Sequence, residues 1–303
     1  MSAMELISDY MRDPVSRHRL NDLTQKVFGF DFESWVTQGY FEGEYIPYSF
    51  LHEGKFVSNV SANRMRFFQN GQEKLYIQLG TVMTDEDFRK QGLAGELMEQ
   101  VIKTYENACD GIYLFGDLSA AGFYERMGFK TENQYRYSVK ADVLKMIRDR
   151  AASEIGFFSV FLPVEGREEL LKPRYLDLVR NGALYSSFQQ LNRFGLQLFY
   201  TADLDNVFYA EDLDCFIVLE EEEDVTVLQS VLCEKRYPLT EILKRIEPVK
   251  DKIRLGFTPC EEDQVLCFSE LYDGAEDYRL FFRGEDLKSI EEEKLYFPEL
   301  SHA

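Results

Sequence analysis

The hydrophobic positions change period several times along the chain, and these changes set the expected elements. Between residues 14 and 28, Val15, Leu20, Leu23, Val27 and Phe28 fall near one helical face, opened by Asp13-Pro14 and closed by Gly29. A second short helix is expected over residues 32–37. Strand-like runs then cover residues 45–51 and 55–60, split by the turn signal Glu53-Gly54, and residues 64–69 continue extended. Asn70-Gly71 is the strongest hairpin signal, because both residues accept positive φ in a tight turn. A strand over residues 75–84 follows and leads into a short loop. From 93 to 107 the helical period returns, with Leu93, Leu97, Met98, Val101, Ile102 and Tyr105 in one broad stripe. Residues 112–115 form an apolar strand, 119–127 a helix closed by Gly128, and 135–139 a further strand.

The second half repeats this order in thinner form. A linking helix is expected after residue 141, an extended stretch over 157–162, and helix again over 174–181. Residues 206–209, 215–220 and 225–233 read as three strands, 239–246 as a helix and 252–257 as a strand. Strand, strand, strand, helix, strand matches the order of residues 45–115, so a diverged internal repeat is expected. The predicted fold is α/β, a mixed and mostly antiparallel sheet flanked by helices, present twice, with units at 1–145 and 146–303.

Composition narrows the function classes. The chain of 303 residues is 45% hydrophobic and carries a net charge of −20. Residues 1–150 hold 18 Lys and Arg against 22 Asp and Glu, whereas residues 151–303 hold 16 against 32, so the acidity belongs to the second half. That sign argues against nucleic acid and against an anionic membrane surface, and it would suit a cationic acceptor. The five cysteines have no Cys-x-x-Cys spacing, so no disulfide framework is expected, and the three histidines cluster with nothing, so no metal is expected. The start of the chain has neither the basic residues nor the apolar run of a signal peptide. A cytoplasmic protein, monomer or homodimer, is the default.

Chemistry concentrates between Tyr76 and Met98, where a strand, an Arg- and Gly-bearing loop and a helix follow one another. Such a layout aims backbone N–H groups and the positive end of a helix at one point, an anion site. Arg89-Lys90-Gln91-Gly92-Leu93-Ala94 fits Arg/Gln-x-x-Gly-x-Gly/Ala, and Phe123-Tyr124-Glu125 leads into Gly128-Phe129. In this order the two signatures resemble the GCN5-related N-acetyltransferase (GNAT) family. The resemblance covers residues 10–140 well and the repeat faintly. It implies acetyl-CoA as co-substrate, its pyrophosphate received by Arg89, Lys90, Gln91, Gly92, Leu93, Ala94 and Gly95, and its pantetheine arm by backbone groups of Val82, Met83 and Thr84. It also implies Tyr124 as the acid that protonates the leaving thiolate; packing, or contact with the cofactor sulfur, is the other use of this residue.

Small residues at Gly92, Ala94 and Gly95 suit close approach of a phosphate, although they also suit plain helix entry. Asp85, Glu86 and Asp87 would repel phosphate unless they point away, and Asp117 stands where the family often has Asn. No base stands out: for His52, Glu53, Glu73 and Tyr76, surface or core roles suit each better. Between the third strand and the helix of the repeat stands Glu234-Lys235-Arg236-Tyr237-Pro238, which has no glycine, so this half is expected not to bind coenzyme A. The expected activity is transfer of an acetyl group to a small-molecule amine or a lysine-bearing acceptor. A non-catalytic acyl-CoA sensor stays open beside it, whereas a dinucleotide oxidoreductase is disfavoured, since Gly-x-Gly-x-x-Gly is not present.

Overall fold

The computed structural model describes residues 4–69, 71–153, 158–247, 250, 252–274 and 278–303. Strand β1 (Glu5–Ser8) leads into helices α1 (Pro14–Phe28) and α2 (Glu33–Thr37). A meander of β2 (Tyr45–His52), β3 (Lys55–Gln69) and β4 (Gln72–Thr84) follows, then α3 (Leu93–Tyr105) and β5 (Gly111–Gly116). Next come α4 (Ala121–Arg126), β6 (Lys130–Glu132) and β7 (Gln134–Lys140). The chain continues through α5 (Ala141–Ser153), β8 (Leu162–Pro163), α6 (Glu168–Asn181), β9 (Phe188–Gln190) and α7 (Phe194–Thr201). A second meander, β10 (Val207–Ala210), β11 (Cys215–Glu221) and β12 (Val225–Cys233), precedes α8 (Leu239–Leu243) and β13 (Lys252–Leu255). The chain ends with β14 (Phe268–Tyr272), β15 (Arg279–Arg283) and α9 (Ser289–Glu292).

Local chemistry explains several of these bounds. The Asp13 carboxylate accepts from the Ser16 amide at 2.9 Å and caps α1, and Gly29 ends it with φ of 79°. Gln69 pairs with Gln72, so the expected hairpin closes with two residues, of which Asn70 lies outside the described residues. Residue 157, expected to begin an extended stretch, also lies outside them.

The strands form two mixed, mostly antiparallel sheets. The first runs β1-β2-β3-β4-β5-β15-β6, with β9 added to β3, and the second runs β14-β7-β13-β12-β11-β10-β8. Each contains one parallel pair, β4 with β5 and β12 with β13, and each pair is joined through a helix. Apart from β9, which is inserted between α6 and α7, the order β8, α6, α7, β10, β11, β12, α8, β13 thus reproduces β1, α1, α2, β2, β3, β4, α3, β5. The sheets interleave across the 145/146 boundary expected from sequence. β7 sits in the second sheet between β13 and β14, and β15 sits in the first between β5 and β6. Each half therefore lends the other the strand beside its parallel pair. The apolar core shows the same merging, since Leu20, Trp35 and Tyr45 pack in one cluster with Tyr175, Leu198 and Phe216.

Two features depart from the expectation. Cys215 and Cys233 form a disulfide, because they stand directly opposite each other on β11 and β12. Strands β1, β9, β14 and β15 and helix α7 gave no periodic signal, being short or continuously apolar.

Candidate functional site

The site is built where β4 and β5 part. They pair in parallel only from Tyr76 to Gln78, against Gly111 to Tyr113. From Leu79 to Thr84, β4 has no strand partner on its β5 side, so backbone groups of Val82, Met83 and Thr84 are left at an interior edge. A bulge accentuates the parting. Thr81 and Val82 together oppose Val60, and Thr81 takes φ of 42°. A polar cluster holds this strained threonine: its hydroxyl lies 2.7 Å from both the Tyr45 and Ser61 hydroxyls, and its carbonyl accepts from the Asn59 amide at 2.9 Å. Burial pushes the Tyr45 phenol up to about 12, so it stays a hydroxyl.

The loop after β4 ends in an open helix start. Gly92 has φ of 85° and is the N-cap of α3, where no side chain caps the first amides. Arg89, Lys90, Gln91 and Gly92 are exposed, and Arg89 donates to the Thr84 carbonyl at 3.3 Å. Among the described residues no carboxylate pairs with Arg89 or Lys90. The side chain of Leu93 is buried, so only its backbone faces this point. A Cβ on Gly95 would lie 3.4 Å from the Met127 side chain, which makes this glycine the place where α4 packs on α3. The acidic run before the loop is partly compensated: Lys26 of α1 pairs with Asp85 at 2.9 Å and lies 3.7 Å from Glu86, and the Asp85 carboxyl is held below its ordinary value chiefly by that lysine.

The second unit differs at the equivalent point. The first amide of α8, on Leu239, donates to the Asp263 carboxylate at 3.1 Å, and Asp263 is itself paired with Arg236. The chain's own carboxylate occupies the place an anion would take.

Tyr124 lies on α4 beneath the end of β5. Its ring packs against Phe281 at 4.9 Å and Phe123 at 5.3 Å, and it fills the space over Gly116. Its hydroxyl has no hydrogen-bond partner among the described residues. Burial, with Asp117 nearby, raises its pKa, so it is a proton donor rather than a phenolate. Asp117 is turned to another use: it accepts from the Ser119 amide at 2.6 Å and starts a turn of 3-10 helix.

Of the four residues named as possible bases, Glu73 and Tyr76 are engaged elsewhere, and His52 and Glu53 lie at another cavity. Glu73 pairs with Arg66 at 2.6 Å, and Tyr76 is buried and donates to Gln69 at 2.7 Å. His52 packs on Phe88, and with Glu53 it lines a cavity shared with Lys26 and Asp85. The sequence reading missed the opposite face of the first sheet. There Thr81, Asn63 and Tyr45 border an aromatic cavity of about 410 Å³, closed by Phe199 of α7 and by the chain end, where Ala303 lies against Gly80 and His302 stacks on Phe115. Only tertiary packing brings these segments together.

Comparisons with known proteins agree with this fold. Residues 52–131 match the family model described as acetyltransferase (GNAT) domain. No curated protein matches the chain by sequence. Among solved structures, the chain is similar to a GCN5-related N-acetyltransferase from Kribbella flavida, at 13% identity and a TM-score of 0.56, covering 95% of this chain and 73% of that one. It is also similar to a conserved protein of unknown function from Enterococcus faecalis, at 14% identity and 0.54, covering 96% and 74%. A third is Eis1 from Mycobacterium abscessus, at 12% identity and 0.50, covering 92% and 73%. The chain carries a GNAT acetyltransferase domain at residues 52–131, and its fold is that of the GNAT acyltransferases.

Proposed function

We propose that the protein transfers an acetyl group from acetyl-CoA to a primary amine, yielding the N-acetylated amine and free coenzyme A. One observation carries the reading: Val82 of the unpartnered β4 edge and Tyr124 pack in one apolar cluster with Leu97 of α3, the helix whose start is uncapped. Coenzyme A pyrophosphate would rest on the amides of Gln91 to Gly95, with Arg89 and Lys90 adding charge. The pantetheine amides would hydrogen-bond along Val82 to Thr84 as an added strand does. The amine, once deprotonated, attacks the thioester carbonyl. Backbone N–H groups at the β4 edge would hold the oxyanion, and Tyr124 would protonate the departing thiolate. The second unit takes no cofactor in this reading.

Calorimetry with acetyl-CoA tests the cofactor site. Saturable binding to the wild type and its loss in Gly92→Glu are expected; equal heats for both proteins would sink the assignment. Binding without turnover is the second reading, favoured because Glu73 and Tyr76 are engaged elsewhere and His52 and Glu53 line a different cavity. Thiol release from acetyl-CoA across a panel of amines separates the two, because a sensor binds and releases nothing.

A further inference from the structure

We propose that the aromatic cavity on the far face of β4 receives the acyl acceptor, and that this acceptor carries one ammonium group on an aromatic or branched apolar body. The proposal rests on the acetyl-transfer reading and names its substrate class. Position comes first. Thr81, at the bulge, borders the cavity, whereas Val82 packs with the apolar cluster of Leu97 and Tyr124 on the other face. Thr81 and Val82, adjacent at the bulge, thus put the cavity and the place proposed for the thioester on the two faces of one strand.

Lining comes second. Phe30, Phe32, Trp35 and Phe199 form the walls, their rings meeting one another at 5.3 to 6.1 Å. Among the described residues, four large aromatic side chains stay exposed: Phe28, Phe158, Tyr200 and Tyr278. Three of the four, all but Phe158, border this one cavity, which is where an apolar guest would cover them. A volume of about 410 Å³ suits a small molecule.

Charge comes third. Glu44 is the one charged side chain among the described lining residues, and it has no ion-pair partner there. Among the described residues no Lys or Arg lines the cavity; Arg66 acts on Glu44 from outside it. A single ammonium can meet the Glu44 carboxylate and the ring faces. Each further ammonium of a polyamine would lose water and meet only neutral amide and hydroxyl groups, those of Asn63, Gln190, Asn192 and Thr81, while an anionic acceptor would face the Glu44 carboxylate.

Trp35 is the chain's single tryptophan, so its emission reports occupancy of the cavity without any need for turnover. Titration of the wild-type chain with 2-phenylethylamine is expected to give a saturable change, and spermidine none. Neutral 2-phenylethanol should bind roughly tenfold more weakly, and Glu44→Gln should weaken the amine by about tenfold while leaving the alcohol unchanged. The unchanged alcohol also shows that the variant is folded. No saturable response to the amine, a response to spermidine of equal strength, or an amine affinity indifferent to Glu44→Gln would each overturn the proposal. Saturation of Trp35 with no thiol release from acetyl-CoA would overturn acetyl transfer and keep the cavity as an amine site. Acetyl-CoA binding with a silent Trp35 would do the reverse.

Discussion

Tyr124→Phe is the sharpest perturbation of the proposed chemistry, because the fold has so little at stake in the atom removed. The ring is held by Phe281 and Phe123 and lies over Gly116, and phenylalanine keeps all of that packing. The hydroxyl has no partner among the described residues, so its loss orphans no buried donor or acceptor. Thermal stability should therefore stay within about 1 kcal/mol of wild type. An acid that protonates a leaving thiolate contributes roughly 10²–10⁴ in rate, or about 3–5 kcal/mol of transition-state stabilisation. Steady-state thiol release should show kcat reduced by at least a hundredfold, with acetyl-CoA affinity measured by calorimetry unchanged. The raised pKa adds a second signature. The phenol stays protonated above its ordinary range, so wild-type kcat should not decline through pH 9 on its account. A variant with kcat within threefold of wild type would remove the acid role. Equal losses in affinity and kcat would assign Tyr124 to holding the cofactor instead.

Gly92→Asn should retain most acetyl-CoA binding, since asparagine tolerates the left-handed backbone at φ of 85° and adds no charge. Gly92→Ala should bind less well than Gly92→Asn, by calorimetry, because alanine resists that backbone; the reverse order would show that conformation at the helix start is irrelevant. His302 is buried and its pKa is pushed down to about 3 from 6.5, so it is neutral in the folded chain. A group depressed in this way contributes stability that is complete above pH 6.5 and falls as the pH drops toward 3. Between pH 6.5 and 5.0 the wild type should lose about 2 kcal/mol in urea denaturation, and His302→Phe should lose little; parallel slopes would refute the assignment. A fragment of residues 1–145 should be insoluble, because it lacks β15 and leaves β5 with a bare apolar edge. A soluble monomeric fragment with cooperative melting would show that the reciprocal strands are dispensable.

Much of the first unit was legible because its signals are local. The Asp13 cap, the Gly29 stop, the apolar stripe from Leu93 to Ile102 and the closing of β3 on β4 each depend on residues close in sequence. The start of α3 belongs with them, since an uncapped helix start needs only Gly92 and its neighbours. The bulge at Thr81 was not legible. A strand that reads evenly through residues 75–84 gives no sign that Thr81 takes positive φ, because the partners that hold it, Tyr45, Asn59 and Ser61, come from other strands. The Cys215–Cys233 bond was hidden for a similar reason, as it depends on the register of β11 against β12.

By itself, the sequence determined the order of most elements of the first unit, the repeat and the glycine-led start of α3, all of them matters of spacing within a few turns or strands. Tertiary structure alone decided which strands complete each sheet, that Asp263 occupies the second helix start, and that Phe32, Phe199 and Tyr278 meet around one cavity beside Glu44. These pairings join residues far apart in the chain. Burial of apolar surface drives them, but it acts without direction, so no local pattern records which distant partner it selects.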